Sequence, residues 1–575
     1  MYQISIADTG MKPNAGEDCL VAVQSAIAQI KARGGGRLIF PRGRYDFWQT
    51  SAPEHYLFVS NNDHGLQRIA FPLFGMQDIE ILGEDAEFVF HGRVTPFAVQ
   101  NCRNVKICGL TLDYERPGIA EAVVLDAKSQ GEATSVTLRV AAPSCAFVRG
   151  QRLYFRDEDN RLAPIGNVLE WNPVSRETEF RVHDNYGVPD THCVREIEPG
   201  VVELSARFRS EPTPGNVLAI SHTGRSNPGI AIAGSEDVTI EDVTIHSSLG
   251  MAIIAQWTRN VRAQRVKVVP NEAKGRIISA SADATHFVNC RGKVELLDCV
   301  FEGQMDDPTN IHGIYSRISR VFDAGTIDVE LVHIEQYGVD VTFPGDKIEI
   351  VDKNTLLTVH SSAVTTVDKL NGQFVRVGLK DSVPETIQPG DSITSANWVA
   401  DAHIRGCQTG RNRARGFLIS TPGKVVIEDN HFHNPGAAIL IAGDANYWFE
   451  AGAVRDITVR NNHFDNCLYG VWGRAVIDIC PEIKPEHRPG NCYHKNIRIV
   501  DNVFTTFDQR LLKAHCVDGL TVRGNLLVAS SRYPAQASEA PVFDVSDCQD
   551  VVVENNPGSD ELAGRLCGVE TQEVS

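Results

Sequence analysis

The sequence contains little positive charge and no long apolar run. Lysine and arginine number 55 against 73 aspartate and glutamate residues, which gives a net charge of −18. This balance argues against a sequence-independent nucleic-acid binder and against a protein that adheres to anionic lipid, because both need a basic surface. No stretch approaches the roughly 18 uninterrupted apolar residues of a membrane-spanning helix, so we expect no membrane partner.

The cysteines also lack a pattern. All 14 are scattered without CxxC pairs or regular spacing, which indicates buried thiols in a reducing compartment rather than a disulfide framework or a zinc site. The first residues, MYQISIADTG, lack the basic and apolar regions of a signal peptide. We therefore expect a cytoplasmic protein, although an exported chain without its leader would look the same.

The composition is that of a globular protein with a large core. Hydrophobic residues make up 42% of the 575 residues and charged residues 22%. The chain is long for one compact domain, so we expect either several domains or one elongated solenoid. A helix is predicted over residues 19–32, where Leu20, Val23, Ile27 and Ile30 recur at helical spacing before three glycines.

The rest of the chain repeats a strand, a polar corner and a second short strand. Examples are DVTIEDVTI from residue 237, NVRAQRVKV from 260, KVVIEDNHF from 424, DITVRNNHF from 456 and NIRIVDNVF from 496. A strand-only repeat of roughly 20 to 50 residues predicts a parallel β-solenoid whose coils stack at about 4.8 Å. An all-β sandwich is the alternative, but the two-residue Asn-Gly and Asp-Gly loops of its hairpins are scarce.

Two stretches interrupt the repeat, at residues 116–225 and 314–400. Both alternate apolar and polar residues between turn signals, which predicts antiparallel β modules inserted into the solenoid. Insertions of this size commonly form a wall of a binding groove. We therefore expect an all-β protein with an N-terminal cap and first coils over 1–115, a module over 116–225, coils over 226–313, a second module over 314–400 and final coils over 401–575.

The segment GQMDDPTNIHGIY, residues 303–315, has the densest chemistry in the sequence. Its adjacent carboxylates, Asp306 and Asp307, precede Pro308, which favours a bend at which both side chains face one groove. Asp283 lies 23 residues before Asp306, about one coil, so we expect three carboxylates to gather on the solenoid surface. The alternative is that Asp-Asp-Pro forms a solvated turn.

Clustered aspartates repel, so one is expected to hold its proton while the others stay ionised. Inverting glycoside hydrolysis uses that division between acid and base. Asn310, His312 and His286 lie close behind the aspartates and are candidate ligands of neutral sugar hydroxyls. A calcium-dependent lyase site is the alternative, but it would need arginine or lysine beside the sugar, and the nearby segments supply few. The sequence therefore predicts no metal and no cofactor.

A second candidate segment is AGDANYWFEAG, residues 442–452. Asp444, Asn446, Trp448 and Glu450 offer the carboxylates, amide and aromatic face that a sugar site uses. The alternative is that the aromatic residues belong to the core and Asp444 caps a turn. Weaker candidates, for which a structural role is the stronger expectation, are Arg93, Asn61, Asn62, Asp63, His64, His91 and Arg116.

Several segments resemble a known family. AGEDCLVAVQSAIAQIKARGGGRLIFPRGRYDF resembles the opening of pectate-lyase-like right-handed β-helix proteins. FVFHGRVTPFAV, DATHFVNCRG, MDDPTNIHGIY, GDANYWFEAGAVRDITVRNNHF and DICPEI resemble glycoside hydrolase family 110, the exo-acting α-1,3-galactosidases, and the similarity runs from about residue 5 to 560. This resemblance implies a right-handed β-helix with two inserted β-barrel-like modules.

The same resemblance implies an activity. It is that of an inverting, metal-independent hydrolase that removes terminal α-1,3-linked galactose from blood-group-B-type or linear α-galactosyl glycans. It also implies that Asp306 is the acid and that Asp283 and Asp307 activate water.

Two other functions remain open from the residues alone. One is a polygalacturonase-like hydrolase of acidic galactans, which would need lysine or arginine facing the sugar carboxylate. The other is a non-catalytic glycan-binding β-helix, which would bind without turnover. β-Helices also assemble side by side, so the sequence allows a homodimer.

Overall fold

The computed structural model of the protein describes residues 2–142, 144–158, 160–184, 193–536 and 540–558. Two long sheets of mostly parallel strands wind around one hydrophobic core, which confirms the predicted right-handed parallel β-helix. The end of the predicted last segment, residues 559–575, lies outside the described residues.

The two solenoid sheets run the length of the molecule. The first sheet contains the strands Gln3–Ser5, Gly36–Phe40, Gly43–Trp48, Gln77–His91, Arg103–Tyr114, Glu236–Glu241, Thr244–Ile245, Arg259–Gln264, Lys267–Val268, Arg291–Leu297, Val300–Glu302, Ala400–Arg405, Gln408–Gly410, Lys424–Glu428, His431–His433, Asp456–Arg460, His463–Asp465, His494–Val500, Val503–Thr506, Val517–Arg523, Leu526–Ala529 and Gln549–Glu554. The second sheet contains Glu54–Leu57, Gly65–Phe74, Thr95–Gln100, Ile230–Ala233, Ile253–Gln256, Thr285–Val288, Thr309–Ile314, Phe417–Ser420, Ile439–Ile441, Glu450–Ala451, Ile477–Ile479, Leu512–His515 and Phe543–Ser546.

Successive coils stack in a fixed parallel register. In the second sheet Phe287 pairs with Ile311 and Ile311 pairs with Ile419, and all three side chains face the core. Because neighbouring side chains of a strand face opposite ways, His286 and His312 lie on the outer face of the same strands. The register of this sheet therefore determines which polar residues meet outside the core.

Among the described residues there is one α-helix, Leu20–Ala32, and it caps the N-terminal end. Leu20, Val23, Ile27 and Ile30 are buried on one side of it, as their helical spacing predicts. The helix is followed by Gly34, whose φ of +77° is a conformation that favours glycine. Short 3-10 helices lie at Ile6–Thr9, Gln49–Ser51, Glu272–Lys274, Ile334–Gln336 and Pro485–His487.

The first inserted module lies between the coils that end at Tyr114 and begin at Ile230. Its strands are antiparallel and have a hydrophobic core of their own. In the described residues the larger sheet does not close on itself, so this module is less barrel-like than expected. The seven-stranded sheet contains Ile119–Gln130, Ala133–Val140, Val168–Asn172, Glu177–Thr178, Cys193–Glu198, Val201–Ala206 and Val217–Ser221, and a three-stranded sheet contains Ala146–Arg149, Arg152–Arg156 and Leu162–Pro164.

The second inserted module is a closed six-stranded antiparallel barrel with a separate hydrophobic core. It lies between Ile314 and Ala400, so the coil that ends at Ile314 resumes only after the barrel. Its strands are Ser316–Asp323, Thr326–Glu330, Lys347–Val351, Thr358–Lys369, Phe374–Leu379 and Ser392–Ser395.

The polar corners of the C-terminal coils form a buried ladder of asparagines, which we call the asparagine ladder: Asn430, Asn462, Asn502, Asn525 and Asn556. Each of the first four side-chain amides donates to the side-chain oxygen of the next asparagine at 2.8 to 3.0 Å. The amides of the first four also donate to the main-chain carbonyls of Ile404, Ile427, Val459 and Ile499. The ladder is therefore satisfied by neutral groups alone.

Disulfide bonds and membrane-spanning helices were sought among the described residues. No disulfide bond joins two of the thirteen cysteines among them. In the same part of the chain, no helix has the length and apolar character needed to cross a membrane.

Candidate active site

Three aspartates meet where the coils pass from the first sheet to the second. Asp283 precedes the strand Thr285–Val288, and Asp307 precedes the strand Thr309–Ile314 in the adjacent coil. The register of these strands, 24 residues apart, sets Asp283 level with Asp307. Asp283, Asp306 and Asp307 are only 3%, 7% and 2% exposed, so the solvated-turn alternative does not describe them. We call these three residues the aspartate cluster.

Two arginines hold Asp306 between them. Arg225 donates from Nη2 to Asp306 Oδ2 at 2.5 Å, and Arg413 donates from Nη1 to Oδ1 at 3.2 Å. Arg225 follows the last strand of the first module, and Arg413 lies in the coil that resumes after the barrel. Both positive charges therefore come from segments that border an insertion.

A third arginine is bound to Asp307. The strand Phe417–Ser420 pairs with Thr309–Ile314, and this register sets Arg415 level with Asp307. Arg415 donates its main-chain N–H to Asp307 Oδ1 at 2.8 Å and its Nη2 to Oδ2 at 2.9 Å. Asp283, Asp307 and Arg415 thus occupy equivalent positions in three successive coils.

The unequal distribution of arginine separates the pKa values of the cluster. Burial alone would raise the pKa of Asp306, but Arg413 and Arg225 outweigh it and lower that pKa below its ordinary value. Burial raises the pKa of Asp307 to about 7 against the opposing effect of Arg415, with Asp306 and Asp283 adding to the rise. Burial and Asp306 raise the pKa of Asp283 well above its ordinary value. The expected division into ionised and protonated carboxyl groups is present, with Asp306 on the ionised side.

Both inserted modules contribute a carboxylate next to the arginines. Asp184, from the first module, accepts from Nε and Nη2 of Arg413 at 2.8 and 2.9 Å. Glu335, from the barrel, lies 3.8 Å from Nη1 of Arg225. The modules therefore border the aspartate cluster on two sides.

Two histidines form a chain of hydrogen bonds with Asp283. His286 Nδ1 lies 2.7 Å from Asp283 Oδ2, and His286 Nε2 lies 2.7 Å from His312 Nε2. His312 Nδ1 is 2.6 Å from the main-chain oxygen of Gly313. The two histidines, predicted as ligands of sugar hydroxyls, are 1% and 3% exposed and bonded to each other, which leaves them little capacity for that role.

Glu450 lies against this chain. Its Oε1 accepts from Asn310 Nδ2 at 3.1 Å and is 3.8 Å from His312 Nε2. His286, His312 and Glu450 are of metal-ligand type, with their atoms within 4.8 Å of one another. Two nitrogen ligands of one zinc ion lie about 3.3 Å apart, given Zn–N bonds near 2.05 Å. The observed 2.7 Å between the two Nε2 atoms is shorter than this separation and fits a shared proton.

The other candidates from the segment 442–452 differ in how they lie relative to the aspartate cluster. Asp444 accepts from the main-chain N–H groups of Asn446, Tyr447 and Trp448, so it caps a turn, as the structural alternative held. The guanidinium of Arg225 lies 5.8 Å from the ring centre of Trp448. Trp448 is therefore at the edge of the aspartate cluster. Asn446 is exposed on the same turn.

Arg93 does not join the aspartate cluster. It lies in a separate small cavity with Arg116, Asp157 and His222, where its Nε is 3.6 Å from Asp157 Oδ2. A role for Arg93 in substrate binding stays a prediction. His91, another weak candidate, is bonded to Asp46 at 2.8 Å.

With this geometry in place, the chain can be compared with known proteins. It is 34% identical to α-1,3-galactosidase A of Shewanella woodyi over 554 residues, which covers 96% of this chain and 90% of that protein. It is also 34% identical to α-1,3-galactosidase B of Bacteroides thetaiotaomicron, over 100% of this chain and 93% of that protein. This chain belongs to the α-1,3-galactosidases, glycoside hydrolase family 110.

The second inserted module of this family 110 protein also matches a family model. The GLAA-B β-barrel domain II model covers residues 326–393, which fall within the closed barrel. Among solved structures, the A-module of mannuronan C-5 epimerase AlgE4 of Azotobacter vinelandii is similar with a TM-score of 0.40 and 11% identity, covering 96% of each chain.

Sequence reasoning missed the arginines of this family 110 site. The segments 303–315 and 442–452 contain no lysine or arginine. The arginines that contact the aspartates come from other parts of the chain and are Arg225, Arg413 and Arg415. Arg415 lies 108 residues beyond Asp307, so the barrel conceals the coil spacing that relates them. The segment RNRARG, followed by a strand pattern, is the signal that could have been read.

Proposed function

We propose that this protein is an exo-acting hydrolase of terminal α-1,3-linked galactose. The observation that carries the proposal is the aspartate cluster, placed by adjacent coils in a chain that aligns almost throughout with α-1,3-galactosidases. The position of both modules beside the cluster supports attack at a chain end, because side walls favour a pocket over an open groove.

In the proposed reaction Asp306 protonates the glycosidic oxygen. A water attacks the anomeric carbon from the opposite face. Asp283 and Asp307 activate this water, and one of the two carboxylates accepts its proton. The bond from the anomeric carbon to the leaving sugar breaks as the bond to water forms, so the released galactose has the β configuration.

These roles run against the proton distribution of the free protein. Arg225 and Arg413 lower the pKa of Asp306, whereas the pKa values of Asp283 and Asp307 are raised. We infer that the proton of Asp307 passes to Asp306 when the substrate enters. The pH profile of kcat/KM reflects the pKa values of the free enzyme, and the pH profile of kcat reflects those of the complex with substrate. We therefore expect the two profiles to rise and fall at different pH values.

The first experiment is proton NMR of the purified protein with Galα1-3Gal and with the blood-group-B-type trisaccharide. Early release of β-galactose supports exo-cleavage with inversion, and the ratio of the two rates gives the preference for linear or branched substrates. Early α-galactose would contradict the mechanism. If galactose is released from neither substrate, the proposed function is contradicted.

A second experiment separates acid from base. α-Galactosyl fluoride needs little help from a general acid, because fluoride is a good leaving group. We expect the activity of D306N on the disaccharide to fall by about 10²- to 10⁴-fold and its activity on the fluoride to be mostly retained. D283N and D307N should lose activity on both substrates. If D307N instead spares the fluoride, the acid is Asp307 and the roles are reversed.

Activity on acidic galactans is the second candidate, favoured by the three arginines at the site. Each arginine is already bonded to an aspartate of the cluster, which reduces its capacity to bind a sugar carboxylate. Polygalacturonate is therefore the matched negative substrate. Its hydrolysis without release of galactose from the neutral glycans would favour this candidate.

A further inference from the structure

The hydrogen-bond chain from Asp283 to His312 contains more protons than three groups in their ordinary neutral-pH states supply. The main-chain oxygen of Gly313 only accepts, so His312 Nδ1 carries a proton. In a neutral His312 the Nε2 is then an acceptor, so the proton between the two Nε2 atoms comes from His286.

The same reasoning continues to Asp283. A neutral His286 that donates from Nε2 has an acceptor at Nδ1, so the hydrogen bond of 2.7 Å to Asp283 requires a protonated carboxyl group. An ionised Asp283 requires instead that His286 or His312 is an imidazolium. In every arrangement Asp283, His286 and His312 together hold one proton more than a carboxylate and two neutral imidazoles.

The surroundings make two positions for this proton accessible. Burial lowers the pKa of His286 to about 4 and also lowers that of His312, which favours the proton on Asp283 in the free protein. Glu450 is negatively charged beside both rings, and its pKa is lowered by the histidines and Asn310 despite burial. The other charged groups facing the chain are Asp306, Asp307, Arg225 and Arg415.

We propose that Asp283, His286 and His312 form a proton relay that makes Asp283 competent as a base. This inference rests on the proposed hydrolase function. The proton of Asp283 Oδ2 passes to His286 Nδ1 as the Nε2 proton of His286 passes to His312 Nε2. His312 becomes an imidazolium beside the Glu450 carboxylate, and Asp283 becomes a carboxylate.

This shift conserves atoms and charge within the site. The neutral chain becomes one carboxylate and one imidazolium, and no proton enters from solvent. Asp283 then takes the proton of the attacking water on Oδ1, the oxygen that His286 does not contact. His286 and His312 do not touch the substrate in this scheme and act as positioning residues through Asp283.

The test uses two asparagine variants of the full chain. H286N keeps an amide beside Asp283, which can accept from the protonated carboxyl group or donate to the ionised one, but lacks Nε2. H312N keeps the donor to Gly313 but also lacks Nε2. Each interrupts the relay at a different link. The matched control is H433N, because His433 is a buried histidine that also contacts a carboxylate, Glu177, at 2.9 Å and a main-chain oxygen at 2.6 Å.

Both relay variants should lose at least about tenfold in kcat/KM at pH 6 with little change in KM. Without the relay, buried Asp283 can lose its proton only to solvent, so the acidic limb of kcat/KM should move to higher pH by about one unit or more. H433N should show neither change. Melting temperatures of all three variants identify any loss caused by misfolding, and H312N decides if H286N does not fold.

The outcomes separate this inference from the function on which it rests. If the wild type releases no galactose, the proposed function fails. If the wild type is active and H312N folds but keeps the wild-type pH profile, the relay is overturned and the function stands. In histidine-labelled protein, an exchange-protected proton shared by the two Nε2 atoms should be seen by NMR and be absent from H312N; its absence from the wild type would also overturn the relay.

Discussion

The asparagine ladder and the aspartate cluster both depend on the parallel register of the coils, and they differ in charge. The register places the ladder asparagines at equivalent positions of successive coils, and it does the same for Asp283 and Asp307 of the cluster. Each ladder amide donates to its neighbour and accepts from the other side, so the stack satisfies itself. Carboxylates have no donor to offer and repel, so the cluster needs positive charges. Arg415 supplies one from the equivalent position of the next coil, and Arg225 and Arg413 supply two from outside the stack.

This difference shows how the β-helix separates stability from chemistry. A neutral ladder can be buried without protons or counter-ions, and it lies in coils where we infer no reaction. The aspartate cluster places like charges together, which shifts pKa values in the way that acid–base catalysis requires. The polar stack that is harder to bury is therefore the one that can react.

We expect the largest loss of stability when a carboxylate replaces an amide of the ladder. N462D removes the donor to Asn502 and to the main-chain oxygen of Ile427, and leaves a charge in a site that is 1% exposed. We expect a loss of about 3–5 kcal/mol of unfolding free energy at pH 7. The loss should be smaller at low pH, because the folded-state pKa of this aspartate is raised and its protonated form is tolerated.

The control for that prediction is N462D activity, measured per folded molecule. Galactose release should match the wild type, because the ladder does not contact the aspartate cluster. Denaturant unfolding followed by fluorescence at pH 5 and 7 measures the stability change. Equal stability of N462D and wild type at pH 7 would contradict the view that the ladder depends on neutral donors.

A smaller effect is expected when the cluster loses one counter-ion. R415Q removes a charge that holds down the pKa of Asp307, now about 7, so that pKa should rise further. If Asp307 acts as a base, kcat/KM at pH 7 should fall by about 10- to 100-fold and recover as pH rises, which corresponds to a shift of one to two units. A loss that is the same at every pH would show that Arg415 only supports the backbone.

The smallest effect concerns the stability of the cluster when it is neutralised. Asn at position 283 can donate to His286 as a protonated aspartate does, so D283N should melt within about 2 °C of the wild type even though it is inactive. Because the folded-state pKa of Asp283 is raised, the wild type should lose stability as pH rises through that pKa, and D283N should lose less. Calorimetry between pH 5 and 8 at one scan rate tests both statements. A D283N variant much less stable than the wild type would indicate that Asp283 is ionised and stabilising.

Much of the fold can be predicted from local sequence patterns. The helix near the start, the strand and corner repeats and the positions of Asp283 and Asp307 one coil apart follow from spacing, because a solenoid coil has nearly constant length and stacks on its nearest neighbour. The corner asparagines at 430, 462 and 502 were visible in the same repeats, although their intervals of 32 and 40 residues vary with the loops between strands.

The partners of the aspartates could not be obtained in the same way. Arg415 follows the barrel, and Asp184 extends from the first module to Arg413, so no period relates either residue to the cluster. The roles of His286 and His312 also depended on contacts. Their sequence positions suggested sugar ligands, whereas the outer face of the second sheet brings their rings together.

The coil, the alternation of core and outer residues, the insertion of two modules and the presence of aspartates in adjacent coils all follow from the order of the residues. The arginines that neutralise Asp306 and Asp307, and the contact of Asp283 with a histidine instead of an arginine, follow only from the folded chain. The two groups of features differ in the range of the interactions behind them. Strand alternation and coil stacking are set by neighbours at fixed spacing, whereas the charges that tune a buried carboxyl group act through space from segments whose distance along the chain is arbitrary.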